Sequence, residues 1–175
     1  ILTAMVAGAD GIAAMWFYLA TYSLMVIGAF AVISVVSGPD SSAAPMADYV
    51  GLVKRSPEMG WMMTIVILGM SGMPFFAGFV GKLFAFIAAV NVDNPWPDGT
   101  NGYLWLVVIG TLTTVIGFAF YFRIVAALFS SGGPDDEIEA SLPARFAVIV
   151  TGAATLVLGI VPWPLLDVVR DALPL

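Results

Sequence analysis

Residues 71–84 read Ser-Gly-Met-Pro-Phe-Phe-Ala-Gly-Phe-Val-Gly-Lys-Leu-Phe, so Gly72, Pro74, Gly78 and Gly81 interrupt a long apolar run that then carries a single charge, Lys82. In hydrocarbon every backbone N–H and C=O must find its partner inside the protein. A lysine at mid-depth costs ~2.5–3.5 kcal/mol on insertion scales. Proline removes a donor and glycine loosens a helix. Such a stretch is tolerated only where protein or internal water surrounds it. The pattern predicts a broken membrane helix that carries a titratable lysine.

The rest of the composition agrees with a membrane setting. Of 175 residues, 61% are hydrophobic and 10% charged, with a mean hydropathy of +1.01; soluble domains average about a quarter charged residues. The charges gather in short segments between apolar runs, so the net charge of −6 describes loops rather than a partner. Six scattered Lys and Arg residues form no basic stripe, which argues against nucleic acid. With no Cys and no His, the sequence offers no thiolate cluster, disulfide or imidazole ligand. Neither a starting Met nor a basic leader precedes the first apolar run, as expected for a piece of a longer chain.

In chain order, residues 1–9 read as the tail of an earlier helix that turns at Asp10-Gly11. Residues 12–36 carry no charge over 25 positions, more than the ~20 a ~30 Å core demands. Tyr18 and Tyr22 share a face with Met25 and Ala29. Tyr18 suits interfacial anchoring, whereas Tyr22 lies deeper and faces protein. Gly28 and Ala29 suit close helix approach. The loop 37–58 ends in Ser56-Pro57-Glu58, an N-cap, a proline at the first helical position and a first-turn acid.

Residues 59–92 are too long for one straight untilted span, at ~50 Å, and Pro74 divides them into halves that are each short. One discontinuous crossing and a re-entrant hairpin both fit. The acid-only turn region 93–102 follows, then a span at 103–129 with Arg123 near its end and Gly110, Thr114, Gly117 and Tyr121 in a small, polar stripe. The segment 130–143 carries Asp135, Asp136, Glu137 and Glu139, and a last span at 144–166 is interrupted by Pro162 and Pro164. A single crossing of 59–92 puts Lys54, Arg55 and Arg145 on one side, with Arg123 in snorkelling reach, against Arg170 on the other. The positive-inside rule then makes loops 37–58 and 130–143 cytoplasmic and the C-terminus external. The fold class expected is an all-α integral membrane bundle with one discontinuous helix.

Counting back from Val92 places Lys82 ten residues deep, ~15 Å at helical rise and near the midplane. Burial disfavours a charged amine, while a shifting partner or water restores it, so a poised lysine can take up and release a proton. Two structural alternatives stand beside that role: a tether for loose carbonyls at the break, or a partner for an acid on another helix. Ser71, Thr64, Tyr22, Thr111, Thr113, Thr114 and Tyr121 supply hydroxyls at membrane depth. Each is also a candidate for back-bonding to its own helix. No acid lies inside a span, so a charged partner for Lys82 is expected elsewhere.

The stretch from Ser71 to Lys82 resembles the discontinuous, lysine-bearing helix of the antiporter-like subunits of respiratory complex I, the proton-pumping NADH:quinone oxidoreductase. Tyr18-Leu-Ala-Thr-Tyr22, Asp48-Tyr49-Val-Gly51-Leu52, Arg55-Ser56-Pro57, Tyr121-Phe-Arg123 and Gly159-Ile-Val-Pro162 extend the likeness, within that family, to the subunit N branch. Tyr22 and Val26 stand where the subunit L branch carries His and Lys, and Lys82 stands where the subunit M branch has a glutamate. The Thr113-Thr114 pair departs from the Asn-Ser-like residues expected there.

The resemblance implies the last part of a 14-helix fold of inverted repeats in a bacterial inner membrane. It implies a proton relay through Lys82, assisted by Tyr22, Ser71, Thr113 and Thr114, with the helix break made by Gly72, Pro74, Gly78 and Gly81. Partners would be the lipid bilayer and the other membrane subunits, neighbouring antiporter-like ones above all. FMN, iron–sulfur clusters and quinone would belong to other subunits, with no cofactor or metal on this chain. A Mrp-type cation/proton antiporter subunit and a non-transporting scaffold are the alternative functions.

Overall fold

The computed structural model describes residues 1–38, 45–92, 103–134, 138 and 140–172. The turn region 93–102 and the acids Asp135, Asp136, Glu137 and Glu139 lie outside the described residues. All regular structure among the described residues is helical. A short α1 (Leu2–Met5) leads into α2 (Gly8–Ser37), followed by a 3-10 turn (Met46–Tyr49), α3 (Leu52–Arg55), α4 (Pro57–Ser71) and α5 (Ala77–Val90). Then come α6 (Leu104–Phe129), α7 (Leu142–Ile160) and α8 (Trp163–Ala172). Helices α2, α6 and α7 are each long and apolar enough to cross a membrane.

Helices α4 and α5, of 15 and 14 residues, are ~22 and ~21 Å long and cross only together. Their packing decides between the two topologies. Along α2, Ala14 packs near Ala85, Phe17 sets its ring against Phe84, and Tyr18 lies on Gly81. Further on, Met25 touches Gly69 and Gly78, and Gly28 meets Val66. Val32 shares a cluster with Met59 and Met63. Partner numbers fall steadily from 85 to 59 while α2 numbers rise from 14 to 32. The two halves are therefore collinear and antiparallel to α2, as one discontinuous crossing. A hairpin would double back over one half of α2.

Small residues let this core close. A Cβ on Gly28 would lie 2.4 Å or a little more from the Thr151 side chain, and one on Gly152 would lie 2.6 Å from the Met62 sulfur. Thr155 touches Gly69, and Gly159 receives the backbone of Phe75 and Phe76. Val148, Thr151, Gly152, Thr155 and Gly159 thus form one small face of α7 at helical spacing, on which α4 and the break rest. The hydroxyls of Thr151 and Thr155 donate to Ala147, Val148 and Thr151 carbonyls of their own helix. By contrast α6 is peripheral. Its Gly110, Thr114, Gly117 and Tyr121 stripe is partly covered, while Trp105, Ile116 and Phe120 point outward.

Two boundaries differ from expectation. Asp10 and Gly11 do not form a turn but lie in the first turns of α2, and the chain reverses at Val6-Ala7 before Gly8 at φ +60°. Gly11 is small because the Ala4 carbonyl of α1 occupies the space a Cβ would need. The last span ends at Ile160, and Leu165 and Leu166 belong to the separate α8. Pro162 has no N–H to continue the helix and its ring would clash with the preceding turn.

At one end of the bundle the loop after α2 docks on α6. Gly51, at φ +72°, donates its N–H to Ala127 O at 3.0 Å, and Lys54 Nζ donates to Ser131 Oγ at 2.9 Å. Ser56 is the N-cap residue of α4, without a side-chain cap bond, and Pro57 occupies N1. Glu58 takes a two-pronged bond from Arg145 of α7, at 2.5 and 3.2 Å. At the other end Arg170 lies 3.7 Å from Asp10. Lys54, Arg55 and Arg145 therefore share one end and Arg170 sits at the other. Replacing Gly159 with Ala is expected to destabilise the protein by ~1–3 kcal/mol through overpacking against fixed backbone. A lowered thermal midpoint of the detergent-purified protein, with reduced membrane yield, checks it.

Candidate functional site

Helix α4 ends in mid-bundle, which leaves its last carbonyls without intrahelical partners. Gly72 takes the left-handed conformation (φ +85°, ψ +33°), which only glycine adopts without penalty. Its N–H donates to Gly69 O at 3.1 Å, and Met73 N–H donates to Leu68 O at 3.2 Å, a Schellman closure. The Ser71 hydroxyl also donates to Leu68 O at 2.7 Å. Lys82 Nζ supplies what remains, donating to Met70 O at 3.3 Å and Ser71 O at 3.2 Å.

The lysine reaches them because side chains on a helix lean toward its N-terminus, and the N-terminus of α5 is the break itself. The ammonium thus sits at the middle of the discontinuous crossing, against the negative end of the α4 dipole. Among the described residues its polar partners are carbonyls, not carboxylates.

The remaining break residues shape this contact. Phe76 N–H donates to Met73 O at 3.4 Å, closing a turn in which Pro74 holds the second place. Phe75 holds the third at φ +76°, a value normally met by glycine there. Gly78 is required by close approach, since a Cβ would collide with the Gly69 carbonyl oxygen. Gly81 lets Tyr18 lie flat across α5, with a Cβ position only 3.0 Å from the ring.

Two clefts border Lys82. One, of about 200 Å3, is lined by Thr3, Met15, Tyr18, Lys82, Thr113 and Thr114 among others. The second, of about 220 Å3, includes Gly72, Phe79, Lys82, Thr111, Thr114 and Val115. The Thr111, Thr113 and Thr114 hydroxyls all donate to carbonyls one turn back on α6, at 2.8–3.0 Å. Between them the three line both clefts, and each hydroxyl keeps its capacity to accept. Tyr22 lies one turn beyond Tyr18, with the rings stacked at 5.6 Å, and its hydroxyl meets that of Tyr121.

The structure therefore brings together Lys82, the Ser71 carbonyl, the break glycines, Thr113 and Thr114. Tyr22 joins them through Tyr18. Thr64 is back-bonded to Gly60 O at 2.7 Å and buried, on the far half of the crossing. Tyr18 is not an interfacial anchor but a half-buried wall of the lysine cleft. Its four-residue spacing from Tyr22 carried that signal. Thr21, fully buried and donating to the Phe17 and Tyr18 carbonyls, is a further polar group of α2 that sequence reasoning passed over.

Among known proteins, the family described as NADH:quinone oxidoreductase/Mrp antiporter, TM, matches residues 1–117. NADH-quinone oxidoreductase subunit N of Trichlorobacter lovleyi is 32% identical, covering 95% of this chain and 33% of the relative. Subunit N of Desulfitobacterium hafniense is 36% identical, over 93% and 31%. The chain thus spans about a third of the length of these curated relatives. A chain of respiratory complex I from Thermus thermophilus with bound aureothin superposes with a TM-score of 0.74 at 30% identity, covering 94% of this chain and 36% of that one.

Replacing Gly72 with Ala forces a side chain into the left-handed region, at ~1–2 kcal/mol, and puts its Cβ within 2.7 Å of the Lys82 ammonium. The expected outcome is a lower thermal midpoint, measured by thermal denaturation of the detergent-purified protein.

Proposed function

Since the chain belongs to the NADH:quinone oxidoreductase/Mrp antiporter transmembrane family, we propose that it is part of a proton-translocating subunit, like subunit N, of a membrane NADH:quinone oxidoreductase. The observation that carries this reading is an ammonium at mid-crossing, held by two carbonyl dipoles at a helix break and bordered by two clefts. Carbonyls hold the group in position without the full countercharge of a carboxylate, so its proton can leave without stranding an anion. The Lys82 ammonium releases a proton to water on the outer side. The neutral amine then takes one from water on the opposite side, and the cycle closes with one proton moved.

NADH oxidation and quinone reduction to quinol, on other subunits carrying FMN and iron–sulfur clusters, supply the driving force. This chain contributes no redox centre. Tyr22, Thr113 and Thr114 serve as hydroxyl stations for water near the lysine, and Ser71 through its carbonyl. The partners are other membrane subunits of that assembly, neighbouring antiporter-like subunits first, and the lipid bilayer. The membrane is the bacterial inner membrane. The end bearing Lys54, Arg55 and Arg145 faces the cytoplasm, and the C-terminus lies outside, in keeping with the positive-inside rule.

The carbonyl contacts also favour a second reading, in which Lys82 is solely a tether of the break. Lys82→Met in the assembled enzyme separates the two. The relay predicts strongly reduced proton pumping per NADH oxidised, with the complex still assembled. The tether predicts loss of assembly or thermal stability with pumping per NADH preserved. Pumping that depends on sodium in vesicles without NADH-driven quinone reduction would instead indicate the Mrp-type antiporter.

A further inference from the structure

Lys82, Phe86 and Thr114 line both clefts described above. Lys82 and Phe86 are four apart on α5, and Gly110 and Thr114 are four apart on α6, so each pair shares one face of its helix. The Phe86 ring edge rests on Gly110, where a Cβ would stand 2.9 Å from its Cε1 and 3.0 Å from its Cζ. No larger residue fits at Gly110 with the ring in place. Among the described residues, the two clefts thus meet at one aromatic ring, one threonine and the lysine itself. The threonine hydroxyl is already committed as a donor to Gly110 O at 2.8 Å. The ring offers water neither a donor nor an acceptor, and apolar constrictions exclude water chains by dewetting.

We propose that Phe86, seated on Gly110, is the dry partition that makes Lys82, among the described residues, the crossing point between the two clefts. It is a positioning residue: it carries no proton and acts by denying water a route around the lysine. The proposal rests on the relay reading of Lys82. With the ring in place, water on either side reaches the amine but not the other cleft. With the ring removed, the clefts merge and protons bypass the amine through a continuous water chain.

The test uses the full-length chain in the assembled enzyme, reconstituted in liposomes. Phe86→Ala is expected to raise passive proton leak severalfold with redox turnover inhibited, and to lower protons pumped per NADH during turnover. The leak is expected to persist when Lys82→Met is added, because the bypass does not use the amine. A wild-type leak in assembled Phe86→Ala enzyme overturns the proposal, and so does a leak abolished by Lys82→Met. If the Ala variant does not assemble, Phe86→Leu is read by the same criteria, with a smaller leak expected. Failure of the Leu variant to assemble would also overturn it, by showing that the ring serves packing. Unimpaired pumping in Lys82→Met alone instead sinks the relay, so the two failures are distinguishable.

Discussion

A helix that stops inside a membrane leaves its last carbonyl oxygens without partners in the helix and away from bulk water, and α4 stops there. The remedy has two halves. Backbone N–H groups of Gly72 and Met73 answer Gly69 and Leu68, and the Lys82 ammonium answers Met70 and Ser71. The cation also meets the negative end of the α4 dipole, where it is favoured. Break and lysine are thus one device. Without the break there are no free carbonyls to hold a cation, and without the cation two partly buried acceptors lose their partner.

The surrounding packing exists to keep that device in register. An unbroken α2 of 30 residues runs beside both halves of the crossing and aligns them. The small face of α7 takes up the break from another side, with Gly159 against the backbone of Phe75 and Phe76. Association of helices in lipid depends on close backbone approach rather than on hydrophobic transfer. The glycines at 28, 69, 78, 81, 152 and 159 accordingly sit at the contacts. Helix α6 is more loosely engaged, and Gly110 and Thr114 of its stripe line the clefts beside the lysine.

Much of this was legible from residue types alone. The break at Gly72–Pro74, the N-cap at Ser56-Pro57 and the partly covered stripe of α6 each follow from local rules about donors, φ angles and helical periodicity. The failures share a cause as well. Gly11 reads as a turn residue by composition but is needed by packing against Ala4. Tyr18 reads as an anchor by depth but is drawn inward by the room Gly81 leaves. The Thr151, Gly152, Thr155 and Gly159 face lies at helical spacing but stood out only in the fold, since nothing local says which helix it receives.

Residue types and their spacing suffice to make the chain a set of apolar helices, to break one of them, and to set a lone lysine after the break. Those are consequences of side-chain polarity, a missing proline N–H and the length needed to cross hydrocarbon, all of which act over a few residues. That the two halves are collinear rather than folded back emerges from the packed fold, because it depends on their pairing with α2 far away in the chain. The packed fold also decided what the ammonium touches. The reach of Lys82 to Met70 and Ser71 depends on where α5 restarts, and that is set by glycine contacts to three other helices.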